Sequence, residues 1–175
     1  MTLWEDATKK KEAFMMFKFN NFADVLEVAV RIERQGTDLY NKLSARHKSP
    51  RAKDVFSFLA AEEEKHAGVF RKMLQKAADY PPRFNYPGEY GLFIEEVASR
   101  LLDEIEKEIA SLPANKENDA LDIGIELEKE TILFYMEIKA ESKLSREEGE
   151  MLQDVIDEER LHWQKLLSLK NKLKF

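Results

Sequence analysis

Apolar residues recur at three- and four-residue steps in four long stretches, the spacing that lines up one face of a helix. The first runs from about Asn21 to Arg46, with Phe22, Val25, Ala29, Gly36, Tyr40 and Leu43 on its stripe. Ser49-Pro50 breaks the pattern, and proline suits the first position of a second helix, about Arg51 to Asp79. Pro81-Pro82 and Pro87-Gly88 punctuate a loop, and a shorter helix from about Phe93 to Ser111 ends at Leu112-Pro113. A third long helix reaches from Asn118 or Asp119, either of which suits a cap, to about Ser142. Ser145 and Glu148 form a capping-box pattern that opens a fourth, ending near Lys170. Lys165, Lys170, Lys172 and Lys174 near its end complement the helix dipole. No stretch alternates with period two for long enough to make a strand. The expected fold is therefore all-α, an antiparallel four-helix bundle over residues 21–175. Residues 1–20, with the basic run Lys9–Lys11 and the cluster Phe14, Met15, Met16, Phe17 and Phe19, read as an N-terminal appendage.

Acid interrupts every long stripe. Glu33 lies among Ala29, Gly36 and Tyr40, and Glu63 and His66 lie among Leu59, Phe70 and Leu74. Glu128 lies among Leu121, Ile125, Ile132 and Tyr135, and Glu159 and His162 lie among Val155, Trp163 and Leu166. Burying one carboxylate without a partner costs roughly several kcal/mol or more. Four in one core would repel one another, and two divalent cations remove the conflict. Residues three apart share a helix face, so each Glu-x-x-His pair offers a carboxylate and an imidazole to one metal.

The two halves of the chain match. Glu33 to Glu63 spans 30 residues, and Glu128 to Glu159 spans 31. Tyr40 and Tyr135 each follow a stripe glutamate by seven, and Glu62 and Glu158 each precede a histidine by four. Tyr40 and Tyr135 are candidates to hydrogen-bond a ligating carboxylate across the core, and Glu62 and Glu158 to orient a ligating histidine. Only three histidines exist, and two fall three after a stripe glutamate. The third, His47, is expected at the surface. The stretch from Pro81 to Ala114 is long enough to cross the bundle with a helix of its own, and one long crossover marks ferritin-like bundles.

Composition narrows the chemistry. The chain has 175 residues, 35% charged, with a net charge of −6. That balance argues against a nucleic-acid partner, which needs a basic face. With no cysteine, disulfides, thiolate zinc sites and Cys-ligated iron–sulfur centres are excluded. No apolar run is long enough to span a membrane, and the start lacks a signal-peptide pattern, so a cytoplasmic location is the expectation.

The phrases EEEKHAGVF around Glu63 and His66, IELEKETILFY around Glu128, and DEERLHW around Glu159 and His162 resemble the rubrerythrin branch of the ferritin-like superfamily. The resemblance covers all four long helices. It implies that Glu63 and Glu159 bridge two irons, that Glu33 and Glu128 are terminal ligands, and that His66 and His162 each take one metal. It departs in three ways. Full rubrerythrins add a Cys-rich rubredoxin domain, so electrons here are expected from a separate, rubredoxin-type donor. An extra helix-three glutamate of that family is Thr131 here, leaving a symmetric six-ligand set nearer that of bacterioferritins. The haem-binding methionine of bacterioferritins is replaced by Glu64, so no haem is expected.

Carboxylate and imidazole donors with open positions suit Fe(II) reacting with O2 or peroxide, with manganese or zinc as alternative metals. The leading expectation is a diiron oxidoreductase reducing hydrogen peroxide or O2. The alternatives are a ferroxidase or iron-handling protein with Fe(II) as substrate, a hydroxylase acting on an organic substrate, and a non-enzymatic helical module. A homodimer is the expected oligomer.

Overall fold

The computed structural model describes residues 22–77, 94, 96–102, 107, 111, 117–141 and 144–173. Four long helices dominate: α1 (Phe22–Arg46), α2 (Pro50–Ala77), α3 (Glu117–Glu141) and α4 (Arg146–Leu173). α1 packs on α2 and α3, and α4 packs on α3 and α2, which closes an all-α ferritin-like bundle. No strand occurs among the described residues. No described helix is long and apolar enough to cross a membrane.

Local chemistry sets the helix ends. α1 stops at Arg46, and three residues later Ser49 starts α2: its Oγ accepts from Ala52 N at 3.4 Å, with Pro50 at the first helical position. His47 lies in this turn and is buried, not at the surface as its position near a helix end suggested. Its Nδ1 accepts from Ser49 N at 3.2 Å, and its ring packs on Phe56. The tight α1–α2 connection folds it inward over the neighbouring helix. α4 opens with a reciprocal capping box: Glu148 N donates to Ser145 Oγ at 3.2 Å and Ser145 N to Glu148 Oε2 at 2.8 Å. Ser145→Ala should lower the melting temperature by roughly 2–4 °C, the equivalent of about 1 kcal/mol, as read by thermal unfolding. α3 begins at Glu117, before both Asn118 and Asp119, so neither is its cap.

The predicted stripes are the buried faces. Val25, Ala29, Tyr40 and Leu43 of α1 and Leu121, Ile125, Ile132 and Tyr135 of α3 are all core residues. Between α2 and α3, residues 96–102 are helical and add Val97, Ala98, Leu101 and Leu102 to the core. Gln35 Nε2 donates to Leu102 O at 3.2 Å, and Arg100 pairs with Glu130. The rest of the expected crossover, and residues 1–20, lie outside the described residues.

Candidate metal centre

Six ionisable side chains meet where the four stripes converge. Glu33, Glu63, His66, Glu128, Glu159 and His162 are all buried; the most exposed, Glu63, is 4% accessible. Their donor atoms form two overlapping cages. In one, atoms of Glu33, Glu63, His66 and Glu159 lie within 4.8 Å of one another; in the other, so do atoms of Glu63, Glu128, Glu159 and His162. Glu63 and Glu159 belong to both.

The carboxylate oxygens divide between the cages. Glu159 Oε1 is 2.9 Å from His66 Nδ1, and its Oε2 is 2.9 Å from His162 Nδ1. Glu63 Oε2 faces His66 Nδ1 at 3.9 Å, and its Oε1 faces His162 Nδ1 at 3.5 Å. Glu33 Oε2 is 3.7 Å from His66 Nδ1, and Glu128 Oε2 is 3.9 Å from His162 Nδ1. The two imidazoles stack with centroids 5.4 Å apart.

Outside the cages the twofold pattern continues. Tyr40 on α1 donates to Glu128 Oε1 on α3, and Tyr135 on α3 donates to Glu33 Oε1 on α1. Tyr40 reaches across because Gly124 carries no side chain: a Cβ there would stand 3.3 Å from Tyr40 Cε1. Gly36 does the same for Glu63, whose Cγ and Cδ would lie 3.2 and 3.3 Å from an added Cβ. Glu158 Oε2 bonds His66 Nε2 at 2.7 Å. The expected orienting role thus falls across the α2–α4 interface and not along Glu158's own helix. With Nδ1 turned to the centre, Nε2 points at the neighbouring helix. Glu62 pairs with Lys65, and no hydrogen bond joins it to either histidine.

Without metal the electrostatics are conflicted. Burial, then the charges of Glu159, Glu33 and Glu128, hold Glu63 well above the usual carboxylate range. Burial and Glu159 raise Glu128 in the same way. Burial and Glu33 raise Glu159, and hydrogen bonding to His66 works against them. Burial pushes Glu33 up too, but the neighbouring Glu63 carboxyl and His66 imidazole outweigh it and leave it low. Burial works against the charged form of His66, yet its hydrogen bond to Glu159 and the nearby Glu33 carboxylate raise it to about 11. Burial lowers His162. The metal-free core therefore carries protons that cations would displace.

Two observations test whether these residues fit such cations. Glu33 Oε2 and Glu63 Oε1 are buried with no hydrogen-bond partner, a costly state that a bound cation ends. Ligands about 2.1 Å from one first-row ion stand roughly 3–4.2 Å apart, and every donor pair in a cage already lies within 4.8 Å. The cluster can hold metal.

In the sequence Thr131 stands out only as a departure from the family pattern. It is buried three residues past Glu128, and its Oγ1 has no partner. Thr131→Val keeps the shape and removes the stranded hydroxyl, so it should stabilise the metal-free protein by about 1 kcal/mol in denaturant unfolding. Phe58 was missed altogether: its ring meets the His162 ring edge-on at 6.2 Å. It stands outside the stripe pattern and is 42% exposed, so periodicity carries no signal for it.

An all-α ferritin-like bundle with a carboxylate and histidine cluster at its centre defines the class. The family model described as Rubrerythrin matches residues 24–170, most of the chain, and the protein belongs to that family. No curated protein and no solved structure gives a significant match.

Proposed function

We propose that this chain is a non-haem diiron oxidoreductase that reduces hydrogen peroxide or O2 with electrons from a separate protein. The observation that carries the proposal is the pair of cages sharing Glu63 and Glu159, one donor set for each of two ions. In this reading Glu33 and His66 would complete the donor set for one ion and Glu128 and His162 that for the other, and Glu63 and Glu159 would serve both. Two irons, when bound, supply the two electrons that peroxide needs to become two waters. The protein keeps the carboxylates ionised around them, fixes both Nδ1 atoms inward and anchors the terminal carboxylates through Tyr40 and Tyr135. Glu158 holds the outer nitrogen of His66, which fixes that ring's orientation. Within these 175 residues no cysteine can ligate an electron relay, so this reading takes the electrons from outside them.

A second reading, ferroxidase activity with Fe(II) as substrate, is favoured by the near-twofold ligand set and by Thr131 standing where a further carboxylate would break that symmetry. One experiment separates the readings. The protein is loaded with two equivalents of iron, reduced, and mixed with peroxide under a chemical reductant. Repeated turnover at constant protein-bound iron supports the oxidoreductase. Turnover that consumes only added Fe(II) and releases Fe(III) supports the ferroxidase. Failure to bind iron sinks both.

A further inference from the structure

The groove between α2 and α4 reverses the sign of the molecule. The chain has a net charge of −6, yet Arg51, Lys165 and Lys172 line this groove and no acidic residue does. Its apolar floor comes from Val55 and Leu169, and Leu161 at its side is 51% exposed. Lys165 Nζ sits 4.5 Å over the Phe58 ring, which is itself 42% exposed. The other edge of this arrangement is the centre: Phe58 meets the His162 ring, and His162 Nδ1 lies 2.9 Å from Glu159 Oε2. Two side chains, Phe58 and His162, thus span from the cluster to the surface.

We infer that this face docks a small acidic one-electron carrier and that Phe58 and His162 form the entry route for its electrons. The inference rests on the oxidoreductase reading above and supplies the partner which that reading requires. Electron tunnelling weakens steeply with distance, so a donor gains most where an exposed ring touches a ring that reaches the cluster. A basic rim around an apolar contact steers an acidic partner there and orients it, while the negative remainder of the surface repels it. Each encounter would oxidise the carrier by one electron, which Phe58 and His162 would pass to the ions the cages would hold. Two encounters, with two protons from solvent, match the two electrons that convert one hydrogen peroxide into two waters.

The test uses the full chain and rubredoxin, an acidic iron carrier, as probe. Binding is read with redox-inert zinc-substituted rubredoxin across a salt series, and electron transfer by stopped-flow oxidation of the reduced iron form. Lys165→Glu with Lys172→Glu should slow association by about tenfold or more at low salt and abolish its salt dependence. Phe58→Leu should slow electron transfer at saturating carrier, where a change in affinity no longer affects the rate. Dithionite, which needs no docking face, should still reduce the iron of the charge-reversed variant. Unchanged binding and transfer in the charge-reversed variant would overturn the inference. So would a dimer in wild-type protein that this variant dissociates, because a second copy would then cover the face. If dithionite cannot reduce bound iron even in wild type, the oxidoreductase reading fails, while the zinc-rubredoxin titration still decides whether the face binds the carrier.

Discussion

Two equivalents of Fe(II), added without oxygen, raise the melting temperature of the wild-type protein by roughly 8–16 °C, and Glu159→Gln loses that rise. The size follows from linkage: a ligand at a thousand times its dissociation constant stabilises the folded state by about 4 kcal/mol, and a domain of this size gains roughly 2–4 °C per kcal/mol. Glu159 is the informative position because its two oxygens serve different cages, so one substitution weakens both. Glutamine keeps the volume and removes the charge. The substitution also removes the main partner of His66, so the metal-free variant should start from a lower melting temperature than metal-free wild type. The decisive quantity is the difference between loaded and metal-free melting temperatures for each protein. An equal rise in wild type and variant would show that the metal binds elsewhere. No rise in wild type would reduce the cluster to a conflicted but metal-free core.

The bundle was readable because its signals are local. Helix periodicity depends on neighbours three and four apart, and the Ser49-Pro50 start and the Ser145–Glu148 box act within one turn. The convergence of the six candidate side chains was readable for a different reason. Four acids in four buried stripes pose one electrostatic problem, and matched spacings in the two halves point to one common solution. The sequence failed where the determinant lies on another element. His47 was misplaced at the surface because its burial depends on Phe56 across a tight turn. Glu158 serves His66 on α2 and not His162 on its own helix, a relation fixed by how two helices face each other. Gly36 and Gly124 stood in their stripes as small residues, but the carboxylate and the tyrosine that fill their missing side chains come from other helices. The reciprocal tyrosines lie between these cases: the seven-residue offset singled them out, and only the packing of α1 on α3 shows which glutamate each one reaches.

Raising the pH from 7 to 9 destabilises the metal-free protein, and divalent metal cancels the loss. His66 is raised to about 11 in the folded chain, whereas unfolding returns it to its ordinary value near 6.5. Its stabilising contribution is complete below pH 6.5 and disappears as the pH climbs toward 11, because only the folded form still holds the proton in that window. Glu63, Glu128 and Glu159, all raised by burial, act with the same sign from 4.5 upward. Glu33 and His162 are lowered, so their contributions are complete above 4.5 and 6.5 and stay constant between pH 7 and 9. Nothing in the cluster opposes the trend. At about 1 kcal/mol per pH unit, His66 alone accounts for a fall of roughly 4–8 °C across the two units. Bound cations remove these protons from the folded state as well, which flattens the slope and widens the gap between loaded and metal-free curves as the pH rises. Thermal unfolding at pH 7, 8 and 9, with EDTA or with Mn(II) under argon, reads both curves. His66→Gln should flatten the EDTA curve. A metal-free protein whose stability is level or rising over this range would mean that His66 sheds its proton on folding and that the cluster is poised differently from the geometry found here.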